Sequence, residues 1–266
     1  MMDEISEIDI QEWTKKLEEN GFLALEGILN RNELEIYQRF YTDVMEGKLK
    51  SSVQSHRHDL GSHVEQNRKG VENITQVMWP SLFLQEHISM DINQSPLHKK
   101  TSQIAKGLLG DDMEFDFDML ITKEGNTKTE TPWHSDESYW LDMPDKRALS
   151  FWFPMRDVDV EDGCMWFVPG SHKQPLRKHR PVKEGNHVLM TDDCSNDEGT
   201  PQPLKAGGCT VHTGRTLHYT SGNATDIPRR VYIVNYRPKA MIDFERENNY
   251  DHGKSGLQNN ETFKKL

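Results

Sequence analysis

The sequence predicts an α+β chain in which helices come first and an antiparallel β core follows. Three observations predict it. Apolar residues recur at helical spacing over about the first 110 positions, the period changes to two after Gly110, and turns rather than further helical patterns separate the strand-like runs beyond. A parallel sheet would need helical crossovers between its strands, so the expected core is a double sheet or a barrel. At 266 residues one domain is expected over 1–266. It divides into a helical part to about 110, a β core over about 111–240, and a tail over about 241–266 too polar to pack tightly.

The first helix is "IQEWTKKLEEN", with Ile10, Trp13 and Leu17 on one face and a stop at Gly21; "FLALEG" then reads as a short strand. Asn30 and Glu33 form a capping-box-like start for a second helix with the stripe Leu34, Tyr37, Tyr41, Val44 and Met45. From about 46 to 72 the chain is polar and predicts a mobile loop, able to close over a substrate. Ser95 and Pro96 open a third helix that carries Leu97, Thr101, Ile104 and Leu108 and ends at Gly110. In "MEFDFDMLI", Met113, Phe115, Phe117, Met119 and Ile121 alternate with Glu114, Asp116 and Asp118, as in a half-buried strand. Further strands are expected at 149–155, 164–168, 209–213 and 231–236.

Composition narrows the function. With 43 acidic against 32 basic side chains the formal charge is −11, which repels phosphate backbones and anionic membranes. The one basic stretch, "HKQPLRKHR" at 172–180, reads as a solvated loop, so neither a nucleic-acid nor a membrane partner is expected. Cys164, Cys194 and Cys209 are odd in number and lack C-x-x-C spacing, which points to a reduced, cytoplasmic setting. The acidic start shows no signal-peptide pattern, and no run reaches the roughly 18 apolar residues of a membrane span.

The chemistry concentrates in "PWHSDESYW". Side chains two apart on an extended strand share a face, so His134 and Asp136 can point at one ion while Ser135 points away. Alone, such a triplet reads more readily as polar residues on an exposed strand face than as a metal site. Downstream stand His218 and, eleven positions later, Arg229. Two imidazoles and one carboxylate on one face of an octahedral metal leave three positions open, as Fe(II) requires to bind a chelating co-substrate and then dioxygen. An arginine fork is the natural partner of a remote carboxylate on that acid. Arg230 competes for this role from the opposite strand face. His212 reads as a hydrogen-bonded strand histidine rather than a further ligand, and His56, His58, Asp59 and His63 as solvated loop residues rather than a second metal set.

From about residue 113 to 238, and more faintly in "ENGFLALEGILNRNEL", the chain resembles the phytanoyl-CoA dioxygenase-like branch of the Fe(II)/2-oxoglutarate oxygenases. The elements that carry the resemblance occur in family order: "DMLITK", "PWHSDESYW", "FWFPMRDVDVEDGCMWFVPGSHK" and "LHYTSGNATDIPRR". It implies a double-stranded β-helix, a jelly roll of the cupin type, with His134, Asp136 and His218 as iron ligands. It implies Arg229 and Thr220 on the distal carboxylate of 2-oxoglutarate, with Met119 and Trp152 lining that pocket. The implied reaction consumes dioxygen and 2-oxoglutarate, releases succinate and carbon dioxide, and hydroxylates a C–H bond; ascorbate would serve as reductant in vitro. Asp136 favours hydroxylation or another oxidative outcome such as desaturation or cyclisation, with hydroxylation the default, since halogenating relatives lack this carboxylate. The expected substrate is a small molecule: an amino acid, a compatible solute or a natural-product intermediate. Glu137, Tyr139 and Trp140 either face its pocket or belong to the core. Two rivals remain: a cupin-like divalent-metal isomerase or lyase would have no use for Arg229, and a non-catalytic metal-binding module would be expected to have lost a ligand.

Overall fold

The computed structural model describes residues 5–49, 53–60, 74–88, 90–183 and 188–255. In chain order the elements are α1 (Glu7–Asn20), β1 (Phe22–Leu25), α2 (Arg31–Met45), β2 (Arg57–Asp59), β3 (Ile74–Met78), α3 (Ser81–Ile88) and α4 (Pro96–Leu109). Then come β4 (Met113–Lys123), β5 (Thr131–His134), β6 (Leu149–Pro154), β7 (Met165–Phe167), β8 (Arg180–Pro181), β9 (Leu189–Met190) and β10 (Thr200–Gln202). The last are β11 (Cys209–Thr213), β12 (His218–Thr220), β13 (Arg229–Pro238) and α5 (Lys239–Glu247).

Local chemistry sets the helix ends. Ser6 with Asp9, and Asn30 with Glu33, close capping boxes on α1 and α2, each cap contributing about 1 kcal/mol. Gly21 ends α1 in the left-handed conformation at φ 84°, where a side chain would be strained. Among the described residues no helix is long and apolar enough to cross a membrane.

Two antiparallel sheets face each other. The larger runs β1-β11-β6-β13-β4-β3-β2 and the smaller β10-β7-β12-β5. β8 and β9 form a separate ribbon. The alternate strand assignment between the two sheets is that of a double-stranded β-helix, the jelly-roll core expected from the sequence.

Two apolar layers follow from the pleat. On the outer face of the large sheet Phe151, Phe153, Tyr232, Val234 and Tyr236 pack against the helices through Trp13, Tyr37, Phe40, Leu97 and Ile104. On its inner face Trp152, Val231 and Ile233 meet Met165 and Phe167 of the small sheet. Every residue of β6 is therefore buried.

Three expectations need correction. The alternation along β4 was expected to leave Asp116 and Asp118 in solvent, yet both are buried. Helices cover the outer face there: Asp118 accepts hydrogen bonds from Tyr232 and from Ser81. In addition Asn235 pairs with Phe117 but Tyr236 with Phe115, so Asp116 is an extra residue in β4, a bulge that reverses which face each side chain takes. Met113 and Phe115 consequently pack among the helices, while Phe117, Met119 and Ile121 line the interior.

The second concerns the polar stretch at 46–72. Its described part holds β2, paired with β3 in the large sheet; residues 50–52 and 61–72, including His63, lie outside the described residues. The third concerns the tail from 241. Residues 256–266 of it lie outside the described residues; in the described part Glu245, Arg246 and His252 are paired rather than solvated, so α5 packs onto the sheet with Met241 and Glu245 fully buried, and Tyr250 and His252 reach the interior cavity.

Candidate metal and co-substrate centre

β5 ends at His134 and β12 begins at His218, and these two residues are cross-strand partners in the small sheet. Asp136 stands just past the end of β5, at the start of a single 3₁₀ turn. The pairing brings together side chains 84 positions apart in sequence. One ligand atom from each of His134, Asp136 and His218 lies within 4.8 Å of the others. Asp136 Oδ1 is 3.8 Å from His134 Nε2 and 3.6 Å from His218 Nε2.

The protonation pattern suits a cation. His134 Nδ1 donates to the carbonyl of Pro132 at 2.7 Å and His218 Nδ1 to that of Thr216 at 3.0 Å. Each bond assigns the ring proton to Nδ1 and leaves Nε2 bare and directed inward. Burial holds both imidazoles below their ordinary pKa, so they are neutral donors at pH 7. Burial alone would raise the Asp136 carboxyl, but the surrounding imidazoles of His218, His212 and His134 outweigh it and hold the group ionised. Two neutral imidazoles and one carboxylate are a donor set that fits ferrous iron.

Neighbours fix the trio. His212 Nε2 lies 3.3 Å from Asp136 Oδ2, on the oxygen away from the histidines' shared side, so it orients the carboxylate as a strand histidine beside the site. His179, a residue the sequence reading passed over, accepts from the backbone N–H of Ser135 at 3.0 Å and anchors the turn between His134 and Asp136. Glu137 points away, into an ion pair with Arg215, whereas Tyr139 and Trp140 face the cavity.

Arg229 occupies one end of the same cavity. It is 2% exposed, its guanidinium lies 5.4 Å from the Trp152 ring, Nη1 reaches the Gly163 carbonyl at 3.4 Å, and Nε has no partner. Burial lowers its pKa to about 10, so it remains a cation at neutral pH. Among the described residues it forms no ion pair. Arg230 faces the opposite way, stacked 5.8 Å from the Tyr41 ring and bonded to Thr42 on α2.

Met119 and Thr220 also line the cavity, Met119 taking a hydrogen bond on sulfur from Gln76. Behind Thr220 is a residue that sequence reasoning missed. Lys123, fully buried and paired across the strands with Arg229, donates to Thr220 Oγ1 at 2.7 Å, Ser221 O at 2.8 Å and Thr220 O at 3.2 Å. All three acceptors are neutral. Burial, and after it the charge of Arg229, hold the Lys123 pKa well below its ordinary value. A buried guanidinium without a counter-charge in such a low-dielectric corner favours an anionic ligand.

Of the rival metal set, His56 is tied to Ser55 and to the Lys254 carbonyl, and His58 lines the cavity from β2. These residues form no ligand group among the described residues. A second group of suitable donors, Asp116, Glu245 and His252, is threaded by Arg237 and Arg246 and is an ion-pair cluster. The basic stretch at 172–180 is neutralised in part, Arg177 by Glu198 and Arg180 by Asp192.

A double-stranded β-helix opening on two histidines, one carboxylate and a buried arginine defines a class, the iron(II)- and 2-oxoglutarate-dependent oxygenases. The model of the family Phytanoyl-CoA dioxygenase (PhyH) matches residues 17–231, and the chain belongs to that family. Phytanoyl-CoA dioxygenase domain-containing protein 1 of Danio rerio is 24% identical over 93% of this chain and 95% of its own length. Ectoine dioxygenase of Streptomyces coelicolor is 24% identical over 82% and 74% respectively. Among solved structures, EvdO2 from Micromonospora carbonacea var. aurantiaca, complexed with 2-oxoglutarate, is 26% identical over 84% of this chain and 88% of that one, with a TM-score of 0.66.

Proposed function

We propose that this chain hydroxylates a C–H bond of a small molecule, with His134, Asp136 and His218 holding Fe(II) and Arg229 receiving the distal carboxylate of 2-oxoglutarate. The observation that carries the reading is the trio's convergence in the same cavity as a buried arginine without a counter-charge. When bound, the iron supplies activation of dioxygen coupled to decarboxylation of 2-oxoglutarate to succinate and carbon dioxide. The protein's own work is binding, orientation and exclusion of water.

Arg229 offers a charged fork, and Thr220 a hydroxyl whose oxygen is already committed to Lys123. The Thr220 proton is therefore available to a carboxylate. Trp152 and Met119 close the sides of that socket. An isomerase or lyase working with a divalent cation alone would leave Arg229 and Lys123 unexplained. The cavity, about 350 Å³, suits a compact substrate of the amino-acid, compatible-solute or natural-product kind, in keeping with relatives that act on ectoine or occur with 2-oxoglutarate.

The helices before 110 and the strands after it share one apolar layer, which supports a single domain over 1–266. Cys164, Cys194 and Cys209 are unpaired, which supports a reducing, cytoplasmic setting.

Incubation with Fe(II), ascorbate and 2-oxoglutarate under air should release succinate even without substrate, slowly. His134→Ala and Asp136→Ala should retain the fold by circular dichroism and lose stoichiometric iron. Wild-type iron content in either variant would end the ligand assignment.

A further inference from the structure

We propose that the substrate is a carboxylic acid with an apolar body, and that Arg237 receives its carboxylate. The inference rests on the oxygenase reading and names the substrate class of that site. Among the described residues only three with permanent charge line the cavity: Asp136, Arg229 and Arg237. Iron and 2-oxoglutarate account for the first two; Arg237, anchored from behind by Asp116 and Glu245, is the one charge on the wall to which that reading gives no role.

Its setting is built rather than incidental. Arg237 is 2% exposed, with its guanidinium 4.4 Å from the Trp140 ring and 5.5 Å from that of Phe117. Nη1 donates to Glu245 Oε1 at 2.8 Å and Nε lies 3.2 Å from Asp116 Oδ2; neither contact uses Nη2. Both carboxylates have other partners. Asp116 also meets Arg246, and Glu245 meets His252 at 3.0 Å and Arg246 at 3.6 Å. The cluster has as many arginines as carboxylates, so no excess negative charge repels an incoming acid.

An amine is disfavoured on two grounds. Among the described residues no carboxylate besides Asp136 lines the cavity to receive it, and the aromatic faces that would hold a cation already flank a guanidinium. A phosphate would call for more than one cation at that end. A single planar fork between two rings is matched to one carboxylate, and the remaining wall, with Met78, Leu149, Val188 and Tyr250, suits an apolar body. Arg229 and Arg237 lie on one face of β13, eight residues apart, with Ile233 and Asn235 between them, so co-substrate and substrate anchors occupy opposite ends.

The test is calorimetric binding of matched pairs, 4-phenylbutanoate with 4-phenylbutanamide and octanoate with octanamide, plus octylamine. It is run on metal-free protein and on protein loaded anaerobically with Fe(II) and 2-oxoglutarate. In wild type the acids should bind about tenfold tighter than the amides. Arg237→Gln should erase the difference. Because that variant strands Asp116 and Glu245, Arg237→Lys is measured beside it; it keeps a charge for them, lacks the fork, and should lose several-fold of the preference. Equal binding of acid and amide, tighter binding of octylamine, no binding of any probe, or a preference that survives in both variants would overturn the proposal. Failure of the oxygenase reading would show separately, as absent iron and 2-oxoglutarate binding, with the metal-free comparison still reporting on Arg237.

Discussion

Lys123 and Arg229 show how much a single buried cation settles. Lys123 sits in "DMLITK" without any pattern to single it out, because periodicity records polarity and not pairing; its meaning appears only when β12 delivers Thr220 to its ammonium. Lys123→Met should raise the KM for 2-oxoglutarate about tenfold with a smaller change in kcat, since the Thr220 proton is then free to turn away from the carboxylate. Succinate release against 2-oxoglutarate concentration measures it, and an unmoved KM would remove the residue from the socket. Arg229→Ala should weaken 2-oxoglutarate binding by about 100-fold while sparing iron. Arg230→Ala should leave that affinity alone and cost about 1 kcal/mol of stability through its lost stacking on Tyr41. Calorimetry on the two variants separates the neighbours, which alternation alone places on opposite faces without saying which face is inside.

At the scale of elements, long periodic segments were legible and short or irregular ones were not. α1, α2 and α4 follow from stripes and caps, and β6, β11 and β13 from apolar runs. β5 and β12, of four and three residues, are too short to show a period, yet they position the trio. The bulge at Asp116 defeats alternation outright, because a period of two carries no record of an inserted residue. The turn after β5 depends on close packing of Trp140 against Gly214, where an added methyl would meet the indole at 1.9 Å. Gly214→Ala should therefore displace the ring, cost about 1–3 kcal/mol in urea unfolding, and weaken acid binding at Arg237. Unchanged tryptophan fluorescence and unchanged affinity together would show that the ring does not depend on this approach.

For the molecule as a whole, the large sheet is shared property: its outer face seats the helices and its inner face the chemistry. The tail closes that arrangement through charges which composition misread as solvated. Removing the buried Glu245 by Glu245→Ala leaves Arg237 short of a partner, and the expected loss is about 3–5 kcal/mol in chemical denaturation. The same cluster predicts acid lability. Burial alone would raise the Asp116 carboxyl, but His252, Arg237 and Arg246 hold it below the usual carboxylate range. A group depressed in the folded state contributes stability above its unfolded pKa of about 4, and that contribution drains away as pH falls below it. Unfolding free energies at pH 7 and pH 3, in wild type and Asp116→Asn, should differ less in the variant.

β13 carries Arg229 near its start and Arg237 near its end, with hydrogen-bonded neighbours on both sides over most of its length. A backbone held that firmly behaves as a measuring rod. Whatever is gripped at one tip has its reach toward the other set by residue count, so shortening or lengthening a guest by a methylene shifts which of its carbons comes abreast of Ile233 and Asn235. Regiochemistry would then be a matter of length, adjustable by moving the gripping residue two positions along the rod without touching the trio.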